Sequence, residues 1–274
     1  QVFIFASEGS GLMAAYYFTI NDNGEVINEQ VLDSGGSEMF FDSHVSENGN
    51  IVFTGTSKIG AGWEPWLYVL NENFELVFSR VYGNPETNAD GGHKVFTYND
   101  DIYMQSTYVW STGSYVVVNK IDSGGNLIWS KQYQGYYPRD IKVSNGFVYQ
   151  LIKATNTNNL LSLIKTDLNG DVVWDKHFNY CAGASSLELD ENKIVVSGTI
   201  EYISNGYDDI FLFELDLEGN ETNCFENNEW SFSYTTNENI EVNTLAYNPT
   251  TISSQQSVAV NENIENQERC VSCK

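Results

Sequence analysis

Acidic side chains are the most abundant groups in this sequence that could do chemistry, with 37 Asp and Glu residues against 13 Lys and Arg residues. Two carboxyl groups that face each other across about 5 to 9 Å could hydrolyse a glycosidic bond. The acids in predicted loops are the candidates for such a pair: Asp42, Asp90, Asp140 and Asp208. In a chain with this many acids, most carboxylates are simply solvated. The sequence therefore assigns no catalytic residue, and a glycoside hydrolase is the weakest functional alternative.

The cysteines suggest a second kind of chemistry. Four are present, at Cys181, Cys224, Cys270 and Cys273, and they allow three disulfide pairings. The C-x-x-C spacing of the last two also occurs in redox and zinc sites, but redox thiols need a helix N-terminus and zinc needs a second close pair. No helix is predicted nearby, and the first two cysteines are 43 residues apart. Structural disulfides are thus favoured over a reduced, metal-bound or redox-active set.

The histidines and the acidic turns predict no metal site. His44 and His93 are 49 residues apart on repeated segments and are expected at one equivalent position, but His177 does not join them there. Turns such as 167–171 resemble calcium loops, yet the same residue types recur as hairpin turns throughout the chain. No nucleophile signature such as G-x-S-x-G is present. We expect no metal and no cofactor.

Charge and composition limit the class of protein. The 274 residues are 41% hydrophobic, 14% aromatic and 18% charged, which is typical of a folded chain with a sizeable core. A net charge of -24 argues against nucleic acid and anionic membranes, because both bind positive surfaces. No apolar run approaches the length of a membrane span. We interpret Gln1 as a mature terminus left after removal of a secretory signal peptide, which predicts an extracellular location.

Internal repetition is the most informative property of the sequence. One turn motif, with Asn or Asp first and usually Gly last, recurs at 21–24, 71–74, 122–125, 167–170 and 216–219. The last residues of successive turns are 50, 51, 45 and 49 residues apart. Short runs rich in β-branched and aromatic residues flank these turns, which is typical of strands and hairpins. No stretch holds a 3.6-residue period, so the pattern predicts an all-β chain.

Four strands in each repeat of about 45 to 50 residues predict a β-propeller of five four-stranded blades over residues 1–248. In the third repeat the predicted strands are 115–121, 126–134, 139–144 and 147–153. The predicted repeats are 14–63, 64–114, 115–159, 160–208 and 209–248. Segment 1–9 is expected to close the ring by pairing with the last blade, which would remove two exposed sheet edges. Residues 249–274 are expected to form an extended tail that contains cysteines.

The third repeat also carries a resemblance to a known family. An apolar strand, the turn that begins at Asp122, then Trp129, Tyr133 and the run that ends at Tyr149 resemble the SBBP-type bacterial β-propeller repeat. The resemblance covers roughly residues 1–220. The turn before Cys224 and the Thr- and Asn-rich tail are similar to those of surface proteins that Bacteroidota export by type IX secretion. The resemblance implies an extracellular scaffold with no catalytic residues to transfer.

The aromatic residues supply the candidate binding site. Trp129 and Trp174 occupy matching repeat positions, which predicts packing between blades. Other aromatics fall at predicted strand ends and connections, where exposed rings could contact a sugar or a protein. These candidates are Trp63, Trp66, Trp110, Tyr108, Tyr136 and Tyr137.

These observations favour a non-catalytic binding, scaffold or adhesion module at the bacterial cell surface, with a protein partner at the surface or in an outer-membrane assembly. A lectin-like module that stacks aromatic rings on sugars is the alternative. A glycoside hydrolase with channel carboxylates ranks third. A repeated lectin site would need equivalent aromatics in every repeat, whereas the loop tryptophans are not repeated. The uneven loops favour one asymmetric face for a protein partner.

Overall fold

The computed structural model contains only strands as regular elements in the residues that it describes. The described residues are 2–8, 14–32, 37–59, 62–83, 91–110, 113–153, 161–178, 182–201, 208–220, 227–228, 234–236, 241–244 and 250–251. The prediction of an all-β chain is confirmed.

In the described residues, the first eighteen of twenty-two strands form five antiparallel sheets in chain order, and the last four strands join the edges of four of these sheets. The first sheet contains β1 (Val2–Glu8), β2 (Ala14–Ile20) and β3 (Val26–Leu32). The second contains β4 (Glu38–Val45), β5 (Ile51–Ile59), β6 (Gly62–Leu70) and β7 (Leu76–Gly83). The third contains β8 (Gly91–Tyr98), β9 (Asp101–Trp110), β10 (Gly113–Ile121) and β11 (Leu127–Gln134). The fourth contains β12 (Tyr137–Ser144), β13 (Phe147–Lys153), β14 (Leu161–Asp167) and β15 (Val172–Phe178), and the fifth contains β16 (Ala182–Asp190), β17 (Lys193–Glu201) and β18 (Asp208–Asp216).

The repeated turns are hairpin turns built by their first side chain. Oδ1 of Asp167 accepts the backbone N–H groups of Asn169 and Asp171 at 2.8 and 2.9 Å. The same two bonds recur in the other four turns. Gly170 adopts a φ of +78°, a conformation that glycine reaches without steric cost. The resemblance to calcium loops is therefore a consequence of turn geometry, and no metal-binding group of three or more ligands occurs among the described residues.

Four hydrophobic cores join consecutive sheets face to face. The first core packs Tyr17 and Leu32 of the first sheet against Phe53 and Trp66 of the second. Three further cores join the second sheet to the third, the third to the fourth, and the fourth to the fifth. Each sheet in the middle of the series is thus covered on both faces, which explains the runs of consecutive buried residues along β6, β13 and β14. No core among the described residues joins the fifth sheet to the first.

A repeated contact joins the second sheet to the third, the third to the fourth, and the fourth to the fifth. The ring of Trp129 on β11 lies against Gly170 in the β14–β15 turn, and its indole N–H donates to the Leu168 carbonyl at 3.0 Å. The hydroxyl of Tyr133 on the same strand donates to the Gly170 carbonyl at 3.0 Å. We call this the turn clamp. Equivalent rings lie against the preceding and following turn glycines: Phe78 on Gly125 and Trp174 on Gly219. The prediction that Trp129 and Trp174 pack between units is confirmed.

The structure divides the repeats two strands away from the predicted boundaries. The predicted unit 115–159 contained the segments now assigned to β10, β11, β12 and β13, but the last two belong to the next sheet. The cause is the long hairpin of β9 and β10, which pair along nine residues from Gly113 and Trp110 to Ile121 and Ile102. The repeat determines the spacing of the turns. This hairpin and its equivalents, β5–β6, β13–β14 and β17–β18, determine which strands share a sheet.

Within the described residues, the predicted closing strand belongs to the first sheet and has no pairing with the fifth. β1 pairs with β2 along seven residues, and the fifth sheet consists of β16, β17 and β18. By its place two strands before a repeated turn, β1 corresponds to β5, β9, β13 and β17. β1 is thus an edge strand of the first sheet, with its hairpin partner β2 on one side.

The described strands after residue 226 lie at the outer edges of four earlier sheets, and none of them joins the fifth sheet, which was predicted to extend over 209–248. Its strands are β19 (Asn227–Asn228), β20 (Tyr234–Thr236), β21 (Glu241–Thr244) and β22 (Thr250–Thr251). They pair with β15, β11, β7 and β3 in that order. We call these four strands the perimeter strap. Residues 252–274, most of the predicted tail, lie outside the described residues.

We predict that Gly170→Ala destabilises the protein more than Gly24→Ala. Both substitutions place a side chain at a positive φ, which costs about 1 to 2 kcal/mol. A Cβ at Gly170 would lie 2.9 Å from Cδ of Lys131 and 3.1 Å from Cη2 of Trp129, whereas no atom lies within 4 Å at Gly24. Overpacking should add about 1 to 3 kcal/mol at Gly170. Urea unfolding of both variants measures the difference, and equal losses would refute the clamp.

We also predict that Tyr133→Phe costs more stability than Tyr82→Phe. Both hydroxyls donate to a turn carbonyl at 3.0 Å. The Gly125 carbonyl opposite Tyr82 also accepts a bond from Arg80 at 2.6 Å, so it keeps a partner when the hydroxyl is removed. We expect a loss of about 1 to 2 kcal/mol for Tyr133→Phe and about half of that for Tyr82→Phe in the same unfolding assay. The reverse order would contradict this account.

Candidate binding site

The first strands of the second to fifth sheets lie side by side, and carboxylates join β4 to β8 and β12 to β16. Asp42 of β4 accepts the backbone N–H of Val95 in β8 at 3.1 Å. Asp140 of β12 accepts the N–H of Leu187 in β16 at 2.8 Å and the hydroxyl of Ser186 at 3.1 Å. Two of the four proposed catalytic acids therefore tie neighbouring strands together, which is a structural role.

A β-bulge interrupts three of these strands at equivalent places. The register of each strand against its neighbour shifts at these points: Phe40 to Asp42, Gly92 to Lys94, and Pro138 to Asp140. The extra residues are Phe41, His93 and Arg139. Bulges redirect side chains and are common beside functional sites. In this protein they place three different types of side chain at equivalent positions on the neighbouring strands β4, β8 and β12.

Four side chains at this level form a cluster that we call the rim cluster: Phe41, His93, Tyr137 and Arg139. The His93 ring stacks on Phe41 with centroids 5.2 Å apart and contacts Tyr137 at 4.5 Å. The Arg139 guanidinium lies 5.7 Å from the Tyr137 ring centroid. Phe41 and Tyr137 remain 40% and 39% exposed. Two partly exposed aromatic rings thus lie beside a half-buried guanidinium, and the His93 imidazole contacts both rings.

Local cations and burial keep the imidazole of this cluster neutral. Burial is the main cause that lowers the pKa of His93 to about 4, and the positive charges of Lys94 and Arg139 lower it further. Burial also raises the pKa of Tyr137, against the opposing effect of Arg139. At neutral pH both rings are therefore uncharged. The rim cluster is thus an aromatic surface with a cationic border in a chain whose net charge is -24.

Two of the predicted binding aromatics are core residues. Trp66 is fully buried, stacks on Phe40 at 4.8 Å and donates its indole N–H to Ser79 at 2.9 Å. Tyr108 is also fully buried, and its hydroxyl donates to the Tyr82 carbonyl at 2.6 Å. Neither side chain can contact a partner. The prediction placed them at strand ends, but β6 and β9 continue through both positions.

The remaining predicted aromatics have different environments. Tyr136 is 37% exposed, and the ammonium of Lys153 lies 5.9 Å from its ring centroid. Tyr137 belongs to the rim cluster. Trp63 is partly buried on β6 beside Lys58, while Trp110 ends β9 and its side chain lies outside the described set. Among the described contacts, Tyr137 thus belongs to the rim cluster and Trp63 does not.

The histidines do not share one repeat position. His44 contacts Phe96, three residues after His93 on β8, at a centroid distance of 4.3 Å, whereas the counterpart of His93 on β4 is Phe41. His177 lies between Ser162 and Asp175, with ring nitrogens 2.7 and 3.3 Å from their oxygens. This order of side chains is that of a catalytic triad. Ser162 is fully buried, however, so its hydroxyl is not accessible to a substrate.

Several predicted site residues lie outside the described set. All four cysteines, Cys181, Cys224, Cys270 and Cys273, do so, as does Asp90. Asp208 begins β18, and its side chain also lies outside the described set.

The sequence interpretation missed Phe41, His93 as an aromatic contact, and Arg139. One signal could have identified them, because each directly precedes a charged residue in the first strand of its sheet: Asp42, Lys94 and Asp140. This pattern becomes visible only when the bulges are aligned. Repeat alignment by turns alone does not align them, because the loops between the turns differ in length.

Comparison with known proteins gives no independent assignment of this site. No protein-family model matches the sequence, and no curated protein is similar to it. Within the described residues, the structure contains no helix of the length and apolarity needed to cross a membrane.

We predict that His93 makes stability depend on pH. An unfolded histidine has a pKa near 6.5, whereas the pKa of His93 in the folded chain is about 4. Between these two values the unfolded chain binds a proton that the folded chain does not, so the free energy of unfolding falls as the pH decreases. The unfolding free energy of the wild type relative to His93→Gln should fall by about 2 kcal/mol between pH 7 and pH 5. Paired urea titrations measure this difference. A difference that stays constant with pH would contradict burial of a neutral imidazole.

Proposed function

We propose that this chain is a non-catalytic extracellular binding module that docks a protein partner at the bacterial cell surface through the rim cluster. The observation that carries the proposal is the exposure of Phe41 and Tyr137 beside Arg139. Aromatic and arginine side chains dominate binding energy at protein interfaces because they bury large areas at low entropic cost. Rings fixed by His93 lose little further freedom when they bind.

The partner's expected chemistry follows from the charges around the cluster. Lys94 and Arg139 both lower the pKa of His93, so two positive charges lie near its ring, with the carboxyl group of Asp42 close to Lys94. A partner surface that carries carboxylates would complement these cations, and repulsion from the acidic remainder of the chain would orient it. We therefore expect an acidic segment of an outer-membrane or surface protein as the partner.

The complete architecture belongs to the same proposal. We infer a five-bladed propeller in which the fifth sheet lies near the first, since five sheets follow one another through four face-to-face cores. Secretion by a type IX route in Bacteroidota, and structural disulfides in the secreted form, are proposed from the resemblance to SBBP-type repeats. This setting supplies both the surface partner and an oxidising environment.

A lectin-like function is the second candidate, because the rings of Phe41 and Tyr137 are 40% and 39% exposed and a sugar could contact them. The three bulge positions hold Phe41, His93 and Arg139, which are chemically different. A lectin with one site per repeat would need the same residue types at each position. One asymmetric surface therefore fits a protein partner better.

The test compares the wild type with the double variant Phe41→Ser/Tyr137→Ser after chemical cross-linking on intact cells and mass spectrometry of the gently solubilised envelope. We expect a stoichiometric companion with the wild type and a loss of about tenfold or more with the double variant. Ile128→Ser/Val173→Ser is the matched control, since these residues are 51% and 49% exposed on other strands. The control should retain the companion.

Equal recovery of the companion with the rim variant would show that another surface binds it. A wild type that is found alone in the medium would overturn the docking proposal. Glycan-array binding that disappears in the double variant but not in the control would then establish the lectin alternative.

A further inference from the structure

Lys58 and Lys153 differ from most other lysines of this chain in having no ion pair within the described residues. A carboxylate oxygen 2.5 to 3.5 Å from an ammonium nitrogen offsets its positive charge locally. The lysines with such a partner are Lys120, Lys131, Lys142, Lys165 and Lys193. The charges of Lys58 and Lys153 are not offset in this way.

Both lysines lie at the end of their sheet that is opposite the repeated turns. Lys58 pairs with Trp63 beside the connection from β5 to β6, and Lys153 pairs with Tyr137 at the start of β12. The repeated turns join the third and fourth strands of these sheets at the other end. The rim cluster occupies the same end as the two lysines, since Tyr137 belongs to it. Lys58, Lys153 and Arg139 thus bring three positive charges to one end of the second and fourth sheets.

Both lysines also lie beside an aromatic ring. The ammonium nitrogen of Lys58 is 6.0 Å from the centroid of Trp63, and that of Lys153 is 5.9 Å from the centroid of Tyr136. Lys58 is exposed, and Tyr136 is 37% exposed. The rim cluster contains a third such pair. A ring attracts the cation but carries no net charge, so each pair holds a positive charge next to an apolar surface.

We propose that an extended acidic segment of the protein partner lies across the second, third and fourth sheets, with carboxylates on Lys58 and Lys153 and the rim cluster between them. The inference rests on the proposed docking function and adds two binding points to it. The rim cluster already bridges these sheets, since Phe41, His93 and Tyr137 come from one sheet each and contact one another in that order. The two lysines extend this surface on both sides.

The distance between the two lysines sets a minimum length for the segment. Packed sheets lie about 10 Å apart, so the second strands of the second and fourth sheets are about 20 Å apart. An extended chain advances about 3.3 Å per residue, so about six residues are needed to reach both lysines. The net charge of -24 repels an acidic segment from the remainder of the chain. Only a local group of cations offers such a segment a favourable position.

The test uses octaglutamate labelled with fluorescein, titrated with the purified full chain at pH 7 and low salt and measured by fluorescence anisotropy. We expect saturable binding that weakens as salt is added. Triglutamate spans only about 10 Å and cannot reach both lysines, so its affinity should be about tenfold lower or less. Equal affinities of the two peptides, or no binding of octaglutamate, would overturn the proposal.

Substitutions locate the binding. Lys58→Gln and Lys153→Gln should each lower the affinity for octaglutamate by about threefold to fivefold, and the double variant should lower it by about tenfold or more. Lys193→Gln is the matched control, because it removes the same charge from a lysine whose side chain is 51% exposed on the fifth sheet. The control should bind as the wild type does. A loss in the control equal to that in either single variant would indicate a general charge effect and contradict the proposal.

Two further measurements separate this inference from its alternatives. Tighter binding of heparin, a sulfated glycan, with the same dependence on both lysines would assign the surface to an anionic carbohydrate and overturn the proposal. In the cross-linking assay on cells, Lys58→Gln/Lys153→Gln should reduce recovery of the companion by about tenfold. Full recovery would overturn the inference and leave docking through the rim cluster intact. Absence of a companion from the wild type would instead overturn the docking proposal, whatever the peptide titrations show.

Discussion

The turn clamp is the contact on which the rest of the structure depends. In the last four sheets, an aromatic ring on the outer strand of one sheet covers the turn glycine of the next: Phe78 on Gly125, Trp129 on Gly170 and Trp174 on Gly219. These glycines adopt a positive φ, and the ring lies where any other residue would carry Cβ. Each of these turns thus connects two strands of its own sheet and also packs against the aromatic ring of the preceding sheet. This contact sets the distance between successive sheets, and the four cores fill the space behind it.

The first interface uses the same parts in a different arrangement. Asn28 occupies the strand position that holds an aromatic ring in the later sheets, and Phe74 occupies the turn position that holds glycine. Phe74 adopts a φ of +65° and packs against the core between the first two sheets. The ring therefore comes from the turn instead of the strand. A non-glycine residue at positive φ is strained, and the surrounding core offsets that strain. This exchange indicates that the interface requires a ring at this place, whichever strand or turn supplies it.

The sequence predicted those parts of the fold that short-range chemistry determines. Asn, Asp and Gly at the turns gave the period and the hairpins, and the matching positions of Trp129 and Trp174 gave the packing between sheets. The start of each sheet could not be predicted, because a periodic pattern is compatible with every phase and the long β9–β10 hairpin decides among them. The burial of Trp66 and Tyr108 was missed for the same reason, since strands that extend further than expected carry their ends into the core. The strap was missed because its pairings involve only two to four residues each.

Comparison of the repeats within this one chain separates packing positions from binding positions. At the clamp, the later repeats keep one chemistry: Phe78, Trp129 and Trp174 are all aromatic, and Arg80, Lys131 and Lys176 follow two residues later. At the bulges, the repeats share the backbone irregularity but present different side chains. A position constrained by packing against a repeated neighbour must keep its chemistry, because each neighbour is nearly the same. A position at the surface has no repeated neighbour, so its side chain can be complementary to a single binding partner. The rim cluster lies at the second kind of position, and this difference supports a binding role there more directly than exposure alone.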